Sequence, residues 1–159
     1  MPDRQTLILS SQSPDHSRQI AQALAPLLRA GDTILLSGDV GAGKTHFARS
    51  VIQASLTIPE HVPSPTYTLV QTYPGQWGDI WHADLYRLSS THEIEELGLS
   101  QAFDEAICLI EWPDRLDDLA PVQAVTLTLT SGDEEGHRQL IFGWFDPRWN
   151  DKLKGLADV

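Results

Sequence analysis

Residues 33–45 read Thr33-Ile34-Leu35-Leu36-Ser37-Gly38-Asp39-Val40-Gly41-Ala42-Gly43-Lys44-Thr45, an apolar strand that leads directly into a glycine-rich loop. A continuous apolar strand of this kind is typical of a parallel sheet that is buried on both faces. The loop matches the pattern G-x-x-x-x-G-K-[ST], and a helix-forming stretch follows it, as this phosphate-binding motif requires. The stretch therefore predicts a strand, a phosphate loop and a helix, in that order.

The phosphate loop also predicts a nucleotide site. Its glycines let backbone N–H groups point at the phosphates, and the N-terminus of the following helix adds its positive dipole. Lys44 is expected to reach the terminal phosphates, and the Thr45 hydroxyl is expected to bind Mg²⁺. We therefore expect ATP or ADP with Mg²⁺ to bind at Gly38, Asp39, Val40, Gly41, Ala42, Gly43, Lys44 and Thr45.

The segments on either side of the loop complete an α/β pattern. A first strand is predicted over 5–10, and Ser13 caps a helix that has Pro14 at its first position and extends to Gly31. The buried stripe of that helix is predicted to contain Ile20, Leu24, Leu27 and Leu28, and the next helix begins at Lys44 and continues through Phe47, Val51 and Ile52. We predict a P-loop NTPase-like three-layer fold with a mainly parallel central sheet.

The second half of the chain begins with a long connection that Pro59, Pro63 and Pro65 keep irregular, which makes this loop a candidate functional segment. The predicted elements that follow are strands 67–73 and 80–88 around the turn Pro74-Gly75, an acidic helix from Thr91 to Glu96, a core strand over 106–110, a helical segment over 113–119, and an antiparallel C-terminal hairpin of strands 122–130 and 139–145. We expect a single domain over 1–159, in which the polar tail from 147 frays.

Composition limits the class of function. The 159 residues are 41% hydrophobic and 21% charged, which suits one globular domain, and the formal charge of −11 disfavours direct binding to nucleic acid. The sequence shows neither the apolar stretch of a signal peptide nor a membrane span, so we expect a cytoplasmic protein. Its six histidines lack the spacing of a zinc site, and Cys108 lies in an apolar run that predicts a buried, unreactive thiol.

Hydrolysis requires a carboxylate beside the magnesium ion and a group that orients water, and Asp84 and Glu111 are the candidates. Glu111 ends an apolar strand, and ligands of open parallel sheets bind at the carboxyl ends of strands. Asp84 follows a segment without the four consecutive apolar residues of an ideal Walker B strand. The pattern alone leaves Asp84 open between a magnesium ligand and a surface acid.

Four sequence blocks follow one another along the chain: residues 37–45, Ser64-Pro65-Thr66-Tyr67-Thr68-Leu69-Val70, His82-Ala83-Asp84-Leu85-Tyr86-Arg87-Leu88 and Ile110-Glu111-Trp112-Pro113. In this order they resemble the TsaE family, formerly called YjeE, of bacterial tRNA threonylcarbamoyladenosine biosynthesis. The resemblance implies that Asp84 is a Walker B-like magnesium ligand and that Glu111 is a magnesium-site or catalytic carboxylate. It also implies a switch loop with Ser64, Thr66 and Tyr67 near the nucleotide, and a role for Trp112 at the active site or a partner surface.

The resemblance further implies the partners and the activity. Members of this family act as ATPases that bind a TsaD-type transferase and its TsaB-type paralogue and support repeated cycles of tRNA modification. An acidic subunit suits docking on a basic protein surface better than direct binding of tRNA. The family pattern weakens after Pro113, and from the C-terminal hairpin we expect only Arg138 to approach the nucleotide.

Three other functions share the phosphate loop. A GTPase usually needs an N-K-x-D loop, whereas the chain's only asparagine is Asn150. A small-molecule kinase needs an acceptor pocket and an arginine-bearing lid, for which Arg87 and Arg115 are available without a lid segment after them. A nucleotide-dependent binding switch without turnover is compatible with the same motif. Of the other aromatic residues, Trp77, Trp81, Trp144 and Trp149 are predicted to pack rather than to function.

Overall fold

The computed structural model describes residues 3–39, 41–58, 60–65 and 69–159. Its strands are β1 (Gln5–Ser11), β2 (Thr33–Ser37), β3 (Val70–Gly75), β4 (Gly78–Asp84), β5 (Ile107–Glu111), β6 (Val125–Ser131) and β7 (Arg138–Trp144). Its α-helices are α1 (Pro14–Leu24), α2 (Lys44–Ser55), α3 (Thr91–Glu96), α4 (Leu99–Glu105) and α5 (Arg148–Lys154). Short 3-10 helices cover Ala25–Leu27, Pro113–Leu119 and Gly155–Asp158.

The described strands form one seven-stranded sheet in the order β1-β7-β6-β2-β5-β4-β3. The four central strands, β6, β2, β5 and β4, are mutually parallel. Antiparallel pairs lie at both sides, with β3 on β4 at one edge and with β7 between β6 and β1 at the other. The predicted α/β class, the mainly parallel centre and the antiparallel C-terminal hairpin are confirmed, and β1 extends that hairpin to three strands.

Strict alternation along the central strands creates the three layers. Ile34 and Leu36 of β2 lie in one core with α1, α2 and α5, while Leu35 lies in the other core with α3, α4 and the 3-10 helix over 113–119. Strand β5 follows the same rule, because Leu109 belongs to the first core and Ile110 to the second. Successive side chains of a strand point to opposite faces, so a continuous apolar strand needs helices on both sides.

The predicted strand over 80–88 is too long, since β4 ends at Asp84. The Asp84 carboxylate accepts a hydrogen bond from the Tyr86 backbone N–H at 3.0 Å, and Leu88 N–H donates to the Leu85 carbonyl at 3.0 Å. An aspartate side chain that bonds the backbone two residues ahead forms a turn in place of a strand. The preceding hairpin turns at Gln76 and Trp77, because Gly75 pairs with Gly78 across the two strands.

Helix α1 has the predicted Ser13 cap, whose hydroxyl accepts from His16 N–H at 3.0 Å. The helix ends at Leu24, well before Gly31, and the chain tightens into a 3-10 turn at Pro26. Proline has no N–H to donate to the helix ladder, which accounts for the early end. Leu27 is consequently 41% exposed, whereas the rest of the predicted stripe is buried.

The sequence analysis expected the C-terminal residues to fray, whereas the structure packs them into the core. Helix α5 buries Trp149 and Leu153, and Leu156 follows them into the same core. The Trp149 indole N–H donates to the Gln123 carbonyl at 2.8 Å, and Arg148 and Lys152 form ion pairs with the buried Asp32 carboxylate. The tail therefore braces the turn that leads into β2.

Cys108 is buried, as predicted, and burial raises the pKa of its thiol to about 12. A thiol with so high a pKa carries almost no nucleophilic thiolate at neutral pH. In the described ranges, we find no helix whose length and hydrophobicity would allow it to cross a membrane.

Truncating Leu153 to alanine should lower the free energy of unfolding by about 2–5 kcal/mol, because it leaves a cavity in the core under α5. Its exposed neighbour provides the control, since Lys154→Ala should change stability by less than about 0.5 kcal/mol. Urea denaturation followed by circular dichroism measures both values. Equal stability of the two variants would show that α5 does not contribute to the core.

Candidate functional site

The phosphate loop connects the carboxyl end of β2 to the N-terminus of α2. Gly38 and Gly43 have φ values of +137° and +103°, which L side chains rarely adopt. A Cβ at Gly38 would also lie 2.5 Å from the Leu129 carbonyl oxygen on β6. These glycines therefore let the loop turn tightly against the sheet and begin α2 with exposed backbone donors.

A cavity of about 380 Å³ lies between this loop and the carboxyl ends of β4 and β5. Its described lining consists of Asp39, Gly41, Gly43, Lys44, Thr45, His46, Asp84, Tyr86, Glu111 and Trp112. The sequence analysis predicted all of these as site residues except His46 and Tyr86. The fold thus gathers residues from three separate sequence blocks around one space.

Strand alternation aims both carboxylates at α2. Glu111 has the same parity as Leu109, and Asp84 has the same parity as Ile80, so both extend from the sheet face that packs against α2. Asp84 and Glu111 are register partners on adjacent parallel strands, and both side chains are buried. The parallel pairing of β4 and β5 therefore sets the two acids side by side at the N-terminus of α2.

Glu111 receives a hydrogen bond at each carboxylate oxygen. The Thr45 hydroxyl donates to Oε1 at 2.7 Å, and Nε2 of the fully buried His82 lies 2.7 Å from Oε2. His82 was quoted in a sequence block but was not predicted as a site residue. The signal was its position two residues before Asp84, the acid at the end of β4, which places His82 and Asp84 on the same face of the strand.

Lys44 lies against the loop and one aromatic ring. Its ammonium donates to the Gly38 carbonyl and to the Asp39 carbonyl, the latter at 3.2 Å, and it lies 4.3 Å from the centroid of the Trp112 ring. Trp112 adopts φ +59°, a left-handed conformation that is costly for a bulky residue. Its ring contacts that of Tyr86 with a centroid separation of 4.8 Å, so the two aromatics form one wall of the cavity.

Arg138 contacts the phosphate loop from outside the cavity. Its Nε donates to the Ala42 carbonyl at 3.1 Å, and Nη2 donates to the Gly41 carbonyl at 3.4 Å. Within one trans peptide the carbonyl and the following N–H point in opposite directions. A carbonyl of Ala42 that faces Arg138 therefore directs the Gly43 N–H away from Arg138.

Several other predicted residues lie elsewhere. Gly38 and Ala42 line a neighbouring cavity of about 370 Å³ together with Thr128, Leu129, Thr130 and Ser131. Ser64 is exposed and is not among the described residues that line the 380 Å³ cavity. Val40, Thr66 and Tyr67 lie outside the described residues.

The donor set of the cavity suits a hard cation beside phosphates. Thr45, Asp84 and Glu111 offer one hydroxyl and two carboxylates, which are oxygen ligands of the kind that Mg²⁺ prefers. With Asp39, three carboxylates face a single ammonium, that of Lys44, among the described lining residues. A divalent cation bound among these carboxylates would lower their repulsion of a nucleotide phosphate.

Comparison with known proteins identifies sequence relatives. A family model described as "Threonylcarbamoyl adenosine biosynthesis protein TsaE" matches residues 11–140. The tRNA threonylcarbamoyladenosine biosynthesis protein TsaE of Rickettsia bellii is 36% identical over 135 residues, which cover 85% of this chain and 92% of that protein. The protein of the same name from Bacillus subtilis is 33% identical over 132 residues, covering 82% of this chain and 80% of the relative.

The fold also has a solved counterpart. The crystal structure of Bacillus subtilis YdiB matches with a TM-score of 0.79 and 23% sequence identity, covering 99% of this chain and 98% of that one. At this identity the match supports the fold alone.

Replacing Arg138 with alanine should make the amide of Ala42, which donates to the Asp39 carbonyl at 3.0 Å, exchange with solvent about 10-fold faster, because the loop loses charge-assisted hydrogen bonds at the Gly41 and Ala42 carbonyls. Hydrogen–deuterium exchange of the segment 38–45 measures the effect. Arg18→Ala is the matched control, since Arg18 is half-exposed and pairs with Asp15 on α1, away from the loop. Equal exchange in the two variants would show that Arg138 does not stabilise the loop.

Proposed function

The chain belongs to the TsaE family of threonylcarbamoyl adenosine biosynthesis proteins, and we propose that it supports this tRNA modification as an ATP-binding and ATP-hydrolysing accessory subunit. The juxtaposition of Thr45 and Glu111 carries the proposal. The hydroxyl that the phosphate-loop motif assigns to Mg²⁺ lies 2.7 Å from a buried carboxylate at a strand end. A glycine-rich turn with no catalytic purpose has no need of a buried acid at that position.

Binding is assigned to the loop and the start of α2. Backbone N–H groups from Gly41 to Thr45 would hold the phosphates, and Lys44 would exchange its carbonyl contacts for the terminal phosphate oxygens. Thr45 and Asp84 would hold Mg²⁺, with Glu111 close to the same position. When bound, the cation neutralises the charge that develops on the transferred phosphoryl group.

Glu111 is proposed to orient the attacking water. Its carboxylate is buried and fixed by two donors, so it presents its oxygens in one direction. A water molecule held by a fixed carboxylate loses less orientational freedom on reaching the transition state than a free one. Asp84 is then the magnesium-positioning acid, and Glu111 is the catalytic one. Trp112, together with Tyr86, would cover the phosphates from the open side.

The partners are proposed to supply what the cavity lacks. The described lining contains no arginine, although phosphoryl transfer usually uses a cation such as an arginine finger, often from another protein. A TsaD-type transferase and a TsaB-type paralogue are the expected partners, and the charge of −11 favours a basic docking surface over tRNA itself. Residues 1–159 would act as one cytoplasmic domain. Ser64 and Thr66, in the proline-containing connection after α2, would respond to nucleotide.

Lys44→Ala should weaken ATP binding by about 10-fold or more, because one charge-assisted contact to phosphate is worth roughly 1.5–3 kcal/mol. Isothermal titration calorimetry with Mg²⁺ measures the affinity, and Lys154→Ala, which changes the same charge far from the cavity, should match the wild type. Unfolding curves of both variants check that the fold is intact. ATP affinity unaffected by Lys44→Ala would refute the assignment of the phosphate site.

Steady-state ATP turnover should be slow for the isolated chain and should rise by roughly 1,000-fold when the two partner proteins are titrated in. Glu111→Gln should lower the stimulated rate by about 100-fold or more while ATP still binds. Stimulation should fall with ionic strength, because an acidic surface docks through screened charges. A fast turnover rate that does not change when the partners are added would refute the accessory role. Binding without any turnover in the full assembly would indicate a nucleotide-dependent switch.

A further inference from the structure

His82 is a buried histidine of the central sheet, and its described polar contact is with Glu111, the proposed catalytic acid. Its side chain is fully buried on β4, and Nε2 lies 2.7 Å from Glu111 Oε2. Because an ionised carboxylate only accepts hydrogen bonds, the ring proton belongs on Nε2. Within the described ranges, Nδ1 of the same ring is buried without a hydrogen-bond partner.

This arrangement is difficult to explain by stability alone. Burying an imidazole with one unsatisfied nitrogen costs free energy that an apolar side chain of similar size would not. The neighbouring strand positions on this face, such as Ile80 and Leu109, are apolar and belong to the core. The polar group at position 82 therefore has a use in its polar contact within the described residues, with Glu111.

The two donors to Glu111 differ in where they lie. Thr45 lines the cavity and donates to Oε1, on the side open to a ligand. His82 is not among the described lining residues and donates to Oε2 from behind the acid. A ligand that engages the Thr45 hydroxyl can replace the first bond, whereas it cannot reach the second.

We propose that His82 is the positioning residue of this ATPase site: it fixes Oε2 of Glu111, and with it the rotamer of the acid, while Oε1 remains free to exchange partners at the cavity. The inference rests on the proposed function. The Glu111 side chain has three rotatable bonds, and the backbone at the strand end does not fix them. Without His82, the one side-chain donor left to the carboxylate among the described residues would be the hydroxyl that magnesium binding is expected to engage.

Three substitutions separate the donor from its position. In His82→Gln the amide nitrogen reaches the place of the imidazole Nε2, whereas in His82→Asn it reaches only the place of Nδ1. His82→Met fills similar space with no N–H donor. A positioning donor predicts that glutamine rescues and that asparagine and methionine do not.

The kinetic test measures single-turnover ATP hydrolysis by the full chain with its partner pair, and ATP affinity by calorimetry. We expect His82→Asn and His82→Met to slow hydrolysis by about 10- to 100-fold, the scale for a misplaced catalytic group, with ATP affinity changed by less than about 3-fold. His82→Gln should recover most of the rate. Unfolding curves for all three variants provide the readout of a purely structural role, and rates that follow stability rather than the presence of a donor at Nε2 would overturn the inference.

A second readout does not depend on turnover. Long-range ¹⁵N–¹H spectra of the nucleotide-free chain should show the His82 ring protonated at Nε2 and bare at Nδ1, and the same tautomer should persist with Mg²⁺ and ADP. The opposite tautomer would overturn the positioning role. If the wild type hydrolyses ATP and His82→Met does so at the same rate, the inference fails alone. A wild type that binds no ATP overturns the proposed function together with the inference.

Discussion

The parallel pairing of β2 with β5 is the constraint on which the site depends. In this register Leu36, two residues before Gly38, lies beside Glu111, so the phosphate loop and the acid leave the sheet at the same edge. A shift of one residue would turn Glu111 to the opposite face, towards α3 and α4, and would move the core residues of β5 with it. Burial of Leu109 and Ile110 in two different cores therefore fixes the position of the carboxylate.

The local parts of this design could be predicted from the sequence. The phosphate loop, the Ser13 cap and the start of α2 each follow from a few consecutive residues, and the place of Glu111 follows from the end of an apolar run. The role of Asp84 is different, because its strand has a mixed pattern and only the family resemblance supported the assignment. The end of β4 at Asp84 depends on a side-chain turn that the mixed pattern of 80–88 did not reveal.

The contacts that were missed join distant segments. His82 and Glu111 are 29 residues apart in the sequence, and Arg138 and Ala42 are 96 apart. A local sequence pattern therefore cannot predict either contact. Arg138 donates to the Ala42 and Gly41 carbonyls of the phosphate loop, and its expected approach to the nucleotide stays a prediction. The failure to predict the C-terminal helix was avoidable. Trp149, Leu153 and Leu156 recur at helical spacing and form an apolar stripe, but the polar residues between them dominated the interpretation.

The hydrogen bonds around the cavity fall into two groups with different consequences for a ligand. Lys44 and Thr45 make bonds within the cavity, to loop carbonyls and to Glu111, and phosphate oxygens or a cation can replace these partners. His82 and Arg138 donate from outside the lining of this cavity, to the acid and to the loop, where a ligand in the cavity does not compete for these bonds. Under the proposed function, ligand binding would therefore exchange bonds on one side of Glu111 and of the loop while the other side stays fixed. Such an arrangement keeps the cost of reorganisation low at the moment of reaction, because the catalytic groups are held by contacts that the ligand does not compete for.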